Sequence, residues 1–326
     1  MKIRKIIPLL FTAPLLFGCD KVEEPKFKKI SDADEVTYEA FKEAFLNASK
    51  EHALVSPTSE KALPSHTVKA EMNSVTTTTA VRGKDTITDS KSTSKDTLEI
   101  ESDANDGVAK VSSTSSRVLS TKQNQTKLSL SAKNKYVEYL QKESKEDKEY
   151  LAIVNPKEKT IDYSSELSET YKYSLAFDDA TSDYYYNESK VFSDFLYHSS
   201  WYEGDSTTYY VTNNKIFTVE YSYSKQDEEL KTWKGDSSYG TQDTDKLTKV
   251  QISFEKENEV KYSYYKEYTE RIEYTKASSG YAAGDVVTYV EKSSYEQTNT
   301  KKDVKVKSQD ASKCVEIDGS SSSLYY

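Results

Sequence analysis

Few side chains in this sequence are spaced for catalysis. Its three histidines, His52, His66 and His198, stand far apart and outside any HExxH arrangement, so no metal site is expected. No GxSxG elbow, SxxK pair, Walker loop or GxGxxG run occurs, and the nine glycines are too scattered to cradle a phosphate. Acyl transfer and nucleotide chemistry are therefore not expected, no cofactor is implied, and the chain is not expected to be an enzyme. Carboxylates are plentiful enough to supply a glycosidase pair, but nothing singles out two of them. Asp103, Asn105 and Asp106 lack the spacing of a calcium loop and read as a turn. The clearest chemistry belongs to Cys19, a thiol that follows a basic start (Lys2, Arg4, Lys5) and an apolar run over 6–17. That order is an export signal. The run is shorter than the roughly 20 apolar residues of a spanning helix, is broken by Pro8 and Pro14, and gives way to Asp20 and Lys21.

The closing residues of that run, Leu16-Phe17-Gly18-Cys19, resemble the lipobox of bacterial lipoproteins, with Phe17 bulkier than the residue usual there. The resemblance covers the first 19 residues. It implies a diacylglycerol joined to Cys19 by a thioether, cleavage before that residue, and a mature chain anchored at the extracytoplasmic face of the cell membrane. The competing reading is an ordinary cleaved signal with a chance cysteine. On the lipobox reading, 1–18 is the signal peptide, 19–36 a lipidated, flexible tether, 37–317 the folded body and 318–326 a flexible tail.

Composition narrows the partners. The net charge is −9, and loss of Lys2, Arg4 and Lys5 with the signal lowers it to −12, which repels nucleic acid; none is expected as a partner. If Cys19 is acylated, Cys314 has no partner and no disulfide holds the fold. Cys314 lies in 313–317, which alternates like a strand. With 27 tyrosines, the ring and hydroxyl of Tyr must supply much of the core, which suits a sheet with one dry and one wet face.

The elements follow from periodicity. Phe41, Ala44, Phe45 and Ala48 recur at helical spacing behind a Thr37 cap, with Val36 placed to staple onto Phe41, which predicts a helix over 37–50. From Thr67 the period changes to two: Val68, Ala70 and Met72, then Leu128 and Leu130, read as half-buried strands. Ser/Thr-rich stretches at 75–81 and 89–96 separate them, and Asp106-Gly107 marks a hairpin turn. Phe217, Val219, Tyr221 and Tyr223 share one face, as do Val250, Ile252 and Phe254, and Val260, Tyr262 and Tyr264. A second helix is expected over 187–199, and 225–246 reads as an exposed loop or long hairpin tip. The likeness of 126–131 to 248–253 is short enough to be chance.

Two constellations stand out as binding surfaces. Tyr184 to Tyr186 precede Phe192, Phe195, Leu196 and Trp201, either a docked helix and its core or a lid over a ligand. Lys301, Lys302, Lys305 and Lys307 read as a solvated strand edge, with anionic headgroups or polymers as the lesser alternative. The order of helix, meander and inserted helix resembles half-barrel lipoproteins and lipoprotein carriers of the LolA and LppX type. The fold class expected is mainly β, a curved antiparallel sheet with an N-terminal helix and an inserted helix. The resemblance implies a hollow that holds a lipid or other hydrophobic small molecule against Phe192, Phe195, Leu196, Trp201, Tyr221 and Tyr223. An adhesive or structural surface protein is the alternative.

Overall fold

The computed structural model describes residues 22, 24–52, 65–123, 126–174, 176–177, 205–232 and 237–317. Cys19, the helix expected over 187–199 and the tail lie outside them. After a 3-10 turn at Asp32–Asp34 come β1 (Glu35–Val36) and α1 (Tyr38–His52). A run of long strands follows: β2 (His66–Arg82), β3 (Asp85–Asp103), β4 (Val108–Gln123) and β5 (Thr126–Lys145). Shorter ones, β6 (Lys148–Asn155), β7 (Thr160–Glu166) and β8 (Asp205–Thr212), precede a second long set. That set is β9 (Ile216–Lys231), β10 (Ser238–Lys256), β11 (Glu259–Tyr274) and β12 (Asp285–Lys301), and β13 (Val315–Glu316) ends the series.

All of these strands form one sheet in the order β1-β8-β9-β10-β11-β12-β2-β3-β4-β5-β6-β7-β13. Every neighbour is antiparallel except β13 on β7, and the sheet stays open between β1 and β13. The mainly β, antiparallel class with an N-terminal helix is thus what the periodicity said. At about 3.3 Å per residue the long strands reach roughly 60 Å, so the sheet has a base and a distant tip.

Two cores sit at the base on the same side of the sheet. In the first, α1 lays Phe41, Phe45 and Ala48 on Phe217, Val219, Val250, Ile252 and Phe254. The helix starts where expected: the Thr37 hydroxyl accepts the Ala40 N–H at 3.3 Å, and Val36 packs at the edge of the same core. In the second, Ala176 and Phe177 cover Val68, Ile100, Ala109, Val111, Leu140 and Leu151. We call this side the helix face.

The opposite side carries two extended segments and is called the strap face. Gln251 grips the first: it accepts the Lys28 N–H at 2.7 Å and donates to the Lys28 carbonyl at 3.0 Å. Gln141 grips the second in the same way, accepting the Gln309 N–H at 2.7 Å and donating to its carbonyl at 2.9 Å. Each amide imitates one residue of a neighbouring strand. Beyond the straps and a small core of Ala152, Val154 and Ile161 covered by Ala311 and Cys314, the strap face is laced with cross-strand ion pairs, among them Glu220 with Lys249 at 2.6 Å, Lys261 with Glu296 at 2.6 Å, Glu71 with Lys95 at 2.6 Å and Glu101 with Lys110 at 2.9 Å. Opposite charges directly or diagonally across neighbouring strands favour pairing, though each exposed pair contributes little on its own.

Several expectations need correction. The expected flexible tether is anchored from Pro25 onward: Pro25 is buried, Lys28 is clamped, and Glu35–Val36 pairs with β8. Partners far along the chain, such as Gln251 for Lys28 and Tyr210 for Glu35, hold it, which local composition cannot report. The Ser/Thr-rich stretches 75–81 and 89–96 are not breaks but the middles of β2 and β3, paired on both sides. Cross-strand hydroxyl contacts such as Ser74 with Ser94 at 2.8 Å satisfy them. The 225–246 region is mostly strand, with Ile216–Lys231 and Ser238–Lys256 running into it from either side. Leu128 and Leu130 are in a strand but are 46% and 45% exposed, whereas Val250 and Ile252 of the similar hexapeptide are fully buried. The two segments therefore occupy unlike environments, and the likeness carries no repeat. Lys302 to Lys307 form no strand; Val306 is buried and Lys305 faces Asp103 at 3.4 Å.

The Asp-Gly turn is as expected. Gly107 has φ 63°, and a Cβ there would meet the Tyr173 ring at 2.6 Å. Asp103 closes the turn by accepting the Asn105 and Asp106 N–H groups. Burial raises its carboxyl affinity for a proton, but the Asp106 amide and the Lys305 charge outweigh this and leave it below the ordinary value.

At the tip, Arg82 donates to both oxygens of Asp285 at 2.7 Å, and the Ala282 N–H donates to Oδ2 at 2.8 Å. These bonds hold the Asp285 carboxyl at about 2 against an ordinary 3.8. Its stabilising share is therefore complete above about pH 4 and is lost as pH falls through 2. Thermal midpoints measured from pH 5 down to pH 2 should drop more steeply for the native chain than for Asp285→Asn. Parallel curves for the two proteins would remove this pair from the acid response.

Candidate functional site

Above the two basal cores the helix face becomes aromatic and polar together. Register fixes which side chains meet there. Phe217, Val219, Tyr221 and Tyr223 on β9 stand opposite Ile252, Val250, Thr248 and Lys246 on β10. Those four stand opposite Tyr262, Tyr264, Lys266 and Tyr268 on β11, and these in turn face Gln297, Tyr295, Ser293 and Glu291 on β12. The alternation that buries Phe217 at the base thus sends a field of tyrosines up the same face.

Within this field, Tyr262 and Tyr295 have ring centroids 5.8 Å apart, and Tyr268 and Tyr289 are edge-on at 5.9 Å. Lys246 stands over the Tyr221 ring at 4.9 Å. Lys266 pairs with Glu291 at 3.0 Å, both half-buried, and the Tyr289 hydroxyl donates to the same carboxylate at 3.4 Å. Tyr295 donates to Gln297 at 2.6 Å, and Gln297 to Asn299 at 2.7 Å. Burial raises the Tyr268 and Tyr289 hydroxyls above their ordinary value, so both are neutral phenols near neutral pH and can donate as well as accept.

The face turns hydroxylic across β2 to β4. There Asp96 lies 3.9 Å from Arg117, and burial holds its carboxyl above the ordinary value despite that charge. Nearer β7, burial and the neighbouring Asp162 raise Glu138 similarly. The arrangement offers ring faces, hydroxyls and half-shielded charges in one field, which suits a ligand with an apolar body and a polar end. Two depressions are open and lined by charge: one of about 450 Å³ beside Lys142, Lys148, Glu149 and Tyr173, the other of about 270 Å³ beside Tyr223, Asp245, Lys246 and Glu267. Neither is the apolar hollow expected from the half-barrel resemblance.

Of the residues expected to touch a ligand, Tyr221 and Tyr223 lie in the tyrosine field, half-buried. Phe192, Phe195, Leu196 and Trp201 lie outside the described residues, as does Cys19. Sequence reasoning missed Tyr268, Tyr289, Tyr295, Lys266 and Glu291. The signal for Tyr268 was present, since it continues the alternation of Tyr262 and Tyr264. No group of three or more potential ligands for a metal occurs among the described residues. No helix among them is long and apolar enough to cross a membrane.

No family model matches the chain. No curated protein matches it either. Among solved structures it is similar to the outer membrane protease OmpT from Escherichia coli, at 9% identity and TM-score 0.22, over 75% of this chain and 99% of that one. It is also similar to OccK7 (OpdD) from Pseudomonas aeruginosa, at 7% identity and TM-score 0.20, over 71% and 98%. The P. putida toluene transporter TodX follows at 6% identity and TM-score 0.15, over 74% and 91%. Likeness this slight carries no argument about what the chain does. The expectation that the chain is not an enzyme is withdrawn: it rested on a want of familiar motifs, which is no ground for denying catalysis, and one of these structures is a protease.

Proposed function

We propose that this chain is a lipid-anchored protein of the extracytoplasmic membrane face, held through Cys19, whose tyrosine field receives a lipid or other amphipathic small molecule. The observation that carries the ligand reading is the sidedness of the sheet. Tyr221, Tyr223, Tyr264, Tyr268, Tyr289 and Tyr295 all lie on the helix face, while the strap face at the same height is covered by ion pairs. The lipobox resemblance of 16–19 supports the anchor. The ion pair of Lys266 and Glu291 inside the field favours a ligand with a polar end over a plain hydrocarbon.

The test is face-specific. A fluorescent fatty acid titrated into the mature protein should bind, and Tyr223→Ala should weaken binding by on the order of tenfold, equivalent to about 1.4 kcal/mol. Tyr265→Phe, on the strap face, should leave it unchanged. Equal affinity in all three proteins, or no binding by any, would reject the tyrosine field as a lipid site and favour an adhesive or structural role.

A further inference from the structure

The outline of the sheet is stepped at β5. The whole strand pairs with β4, from Thr126 opposite Gln123 to Leu140 opposite Ala109, whereas β6 pairs with it only from Tyr139 to Lys145. From Lys127 to Lys135 the strand is therefore a sheet edge among the described residues, about 30 Å long, with one side of its backbone open to an added ladder. A second step lies across the sheet, where β8 pairs with β9 only as far as Tyr223 and leaves Ser224 to Lys231 at an edge. That edge is blunted: the register with β10 shifts there, Asp227 takes φ 55° and its N–H donates to the Asp243 carboxylate at 3.0 Å, and Lys225 pairs with Glu228 at 3.0 Å. On β5 the register runs from Thr126 to Leu140 without a shift, and no proline, glycine or positive φ interrupts it.

The two sides of the open edge differ in chemistry. Leu128, Leu130 and Ala132 lie on the helix face, and the two leucines are 46% and 45% exposed. Lys127, Lys133 and Lys135 lie on the strap face, all exposed, and none of them forms an ion pair among the described residues. Neither Lys127 to Lys135 nor the β4 segment opposite, Thr114 to Lys122, contains a carboxylate. On β3 behind them, Asp89 stands opposite Lys122, and Asp96 lies on the helix face beside Arg117. Glu138, the first acid further along β5, also belongs to the helix face.

We infer that this edge receives an added strand from a partner protein, an extended segment that sets apolar side chains beside Leu128, Leu130 and Ala132 and carboxylates beside Lys127, Lys133 and Lys135. The backbone ladder supplies affinity and the alternation supplies specificity, because a strand slipped by one residue would turn its carboxylates onto the leucines. The lysines decide against a second copy of this chain as the occupant. Two such edges paired with each other would crowd their lysines on one face, which like-charge repulsion opposes, whereas an acidic strand neutralises them. The inference depends on neither the lipid anchor nor the tyrosine field.

Peptide binding to the purified protein, read by fluorescence anisotropy, tests this. A labelled peptide that alternates glutamate with valine should bind, and one that alternates lysine with valine should not. The glutamate peptide with N-methylated backbone amides, which keeps its charge and loses its ladder, should also fail to bind. Lys133→Glu together with Lys135→Glu should leave the urea midpoint unchanged, since both side chains are exposed, yet weaken binding of the glutamate peptide about tenfold and admit the lysine peptide. Equal binding of the plain and methylated peptides, equal binding of both charge types, or no binding by any would overturn the edge as a dock for an acidic strand. A native chain that sediments as a dimer and excludes the peptide in that state would overturn it as well, by giving the edge to a second copy. The methylated peptide needs no variant, so the result is readable even where the doubly substituted chain does not fold.

Discussion

Phe217→Ala is expected to lower the stability of the folded chain by about 3–5 kcal/mol, close to the whole margin of many domains. Phe217 is fully buried and meets three rings: Phe41 at 5.8 Å, Phe45 at 5.3 Å and Phe254 at 6.0 Å, all at steep angles. Its loss would leave a cavity beneath α1 that the sheet, held by pairing on both sides of β9, cannot collapse to fill. Urea unfolding of the native and variant proteins measures the cost. A loss below about 1 kcal/mol would mean that the basal core is not what secures the helix.

A second large effect is expected at Cys19. Cys19→Ser removes the thiol to which the lipobox resemblance assigns the diacylglycerol, so the protein should leave the membrane fraction or persist as a precursor that keeps residues 1–18. A processed Cys19→Ser protein that stays on the membrane would show that something other than a lipid holds it. The two substitutions also separate causes, since the first acts on the fold and the second on the address.

The parts of this fold that local sequence could report were those with a single buried face. The helix was legible because Phe41, Ala44, Phe45 and Ala48 must share one side to meet a core, and β9, β10 and β11 because their basal halves alternate apolar and polar residues. The upper halves were not legible. There the strands are polar on both sides, and threonine and serine in 75–81 and 89–96 read as breaks although they sit mid-strand between two partners. Strand propensity there depends on neighbours that only the folded sheet supplies. The straps were hidden for the same reason: Lys28 finds Gln251, and Gln309 finds Gln141, across most of the chain. Of the candidate site, Tyr221 and Tyr223 were found from their alternation with Phe217 and Val219. Tyr289 and Tyr295 were missed because β12 lacks an apolar row long enough to reveal its parity.

Intact mass measurement of the protein extracted from the membranes of its own host reads the anchor and the bound ligand together. The expected chain begins at Cys19 and carries the added mass of a diacylglycerol, with a further small amphiphile retained under native conditions and released on unfolding. A chain that begins elsewhere, or one that begins at Cys19 with an unmodified thiol, would contradict the proposed anchor.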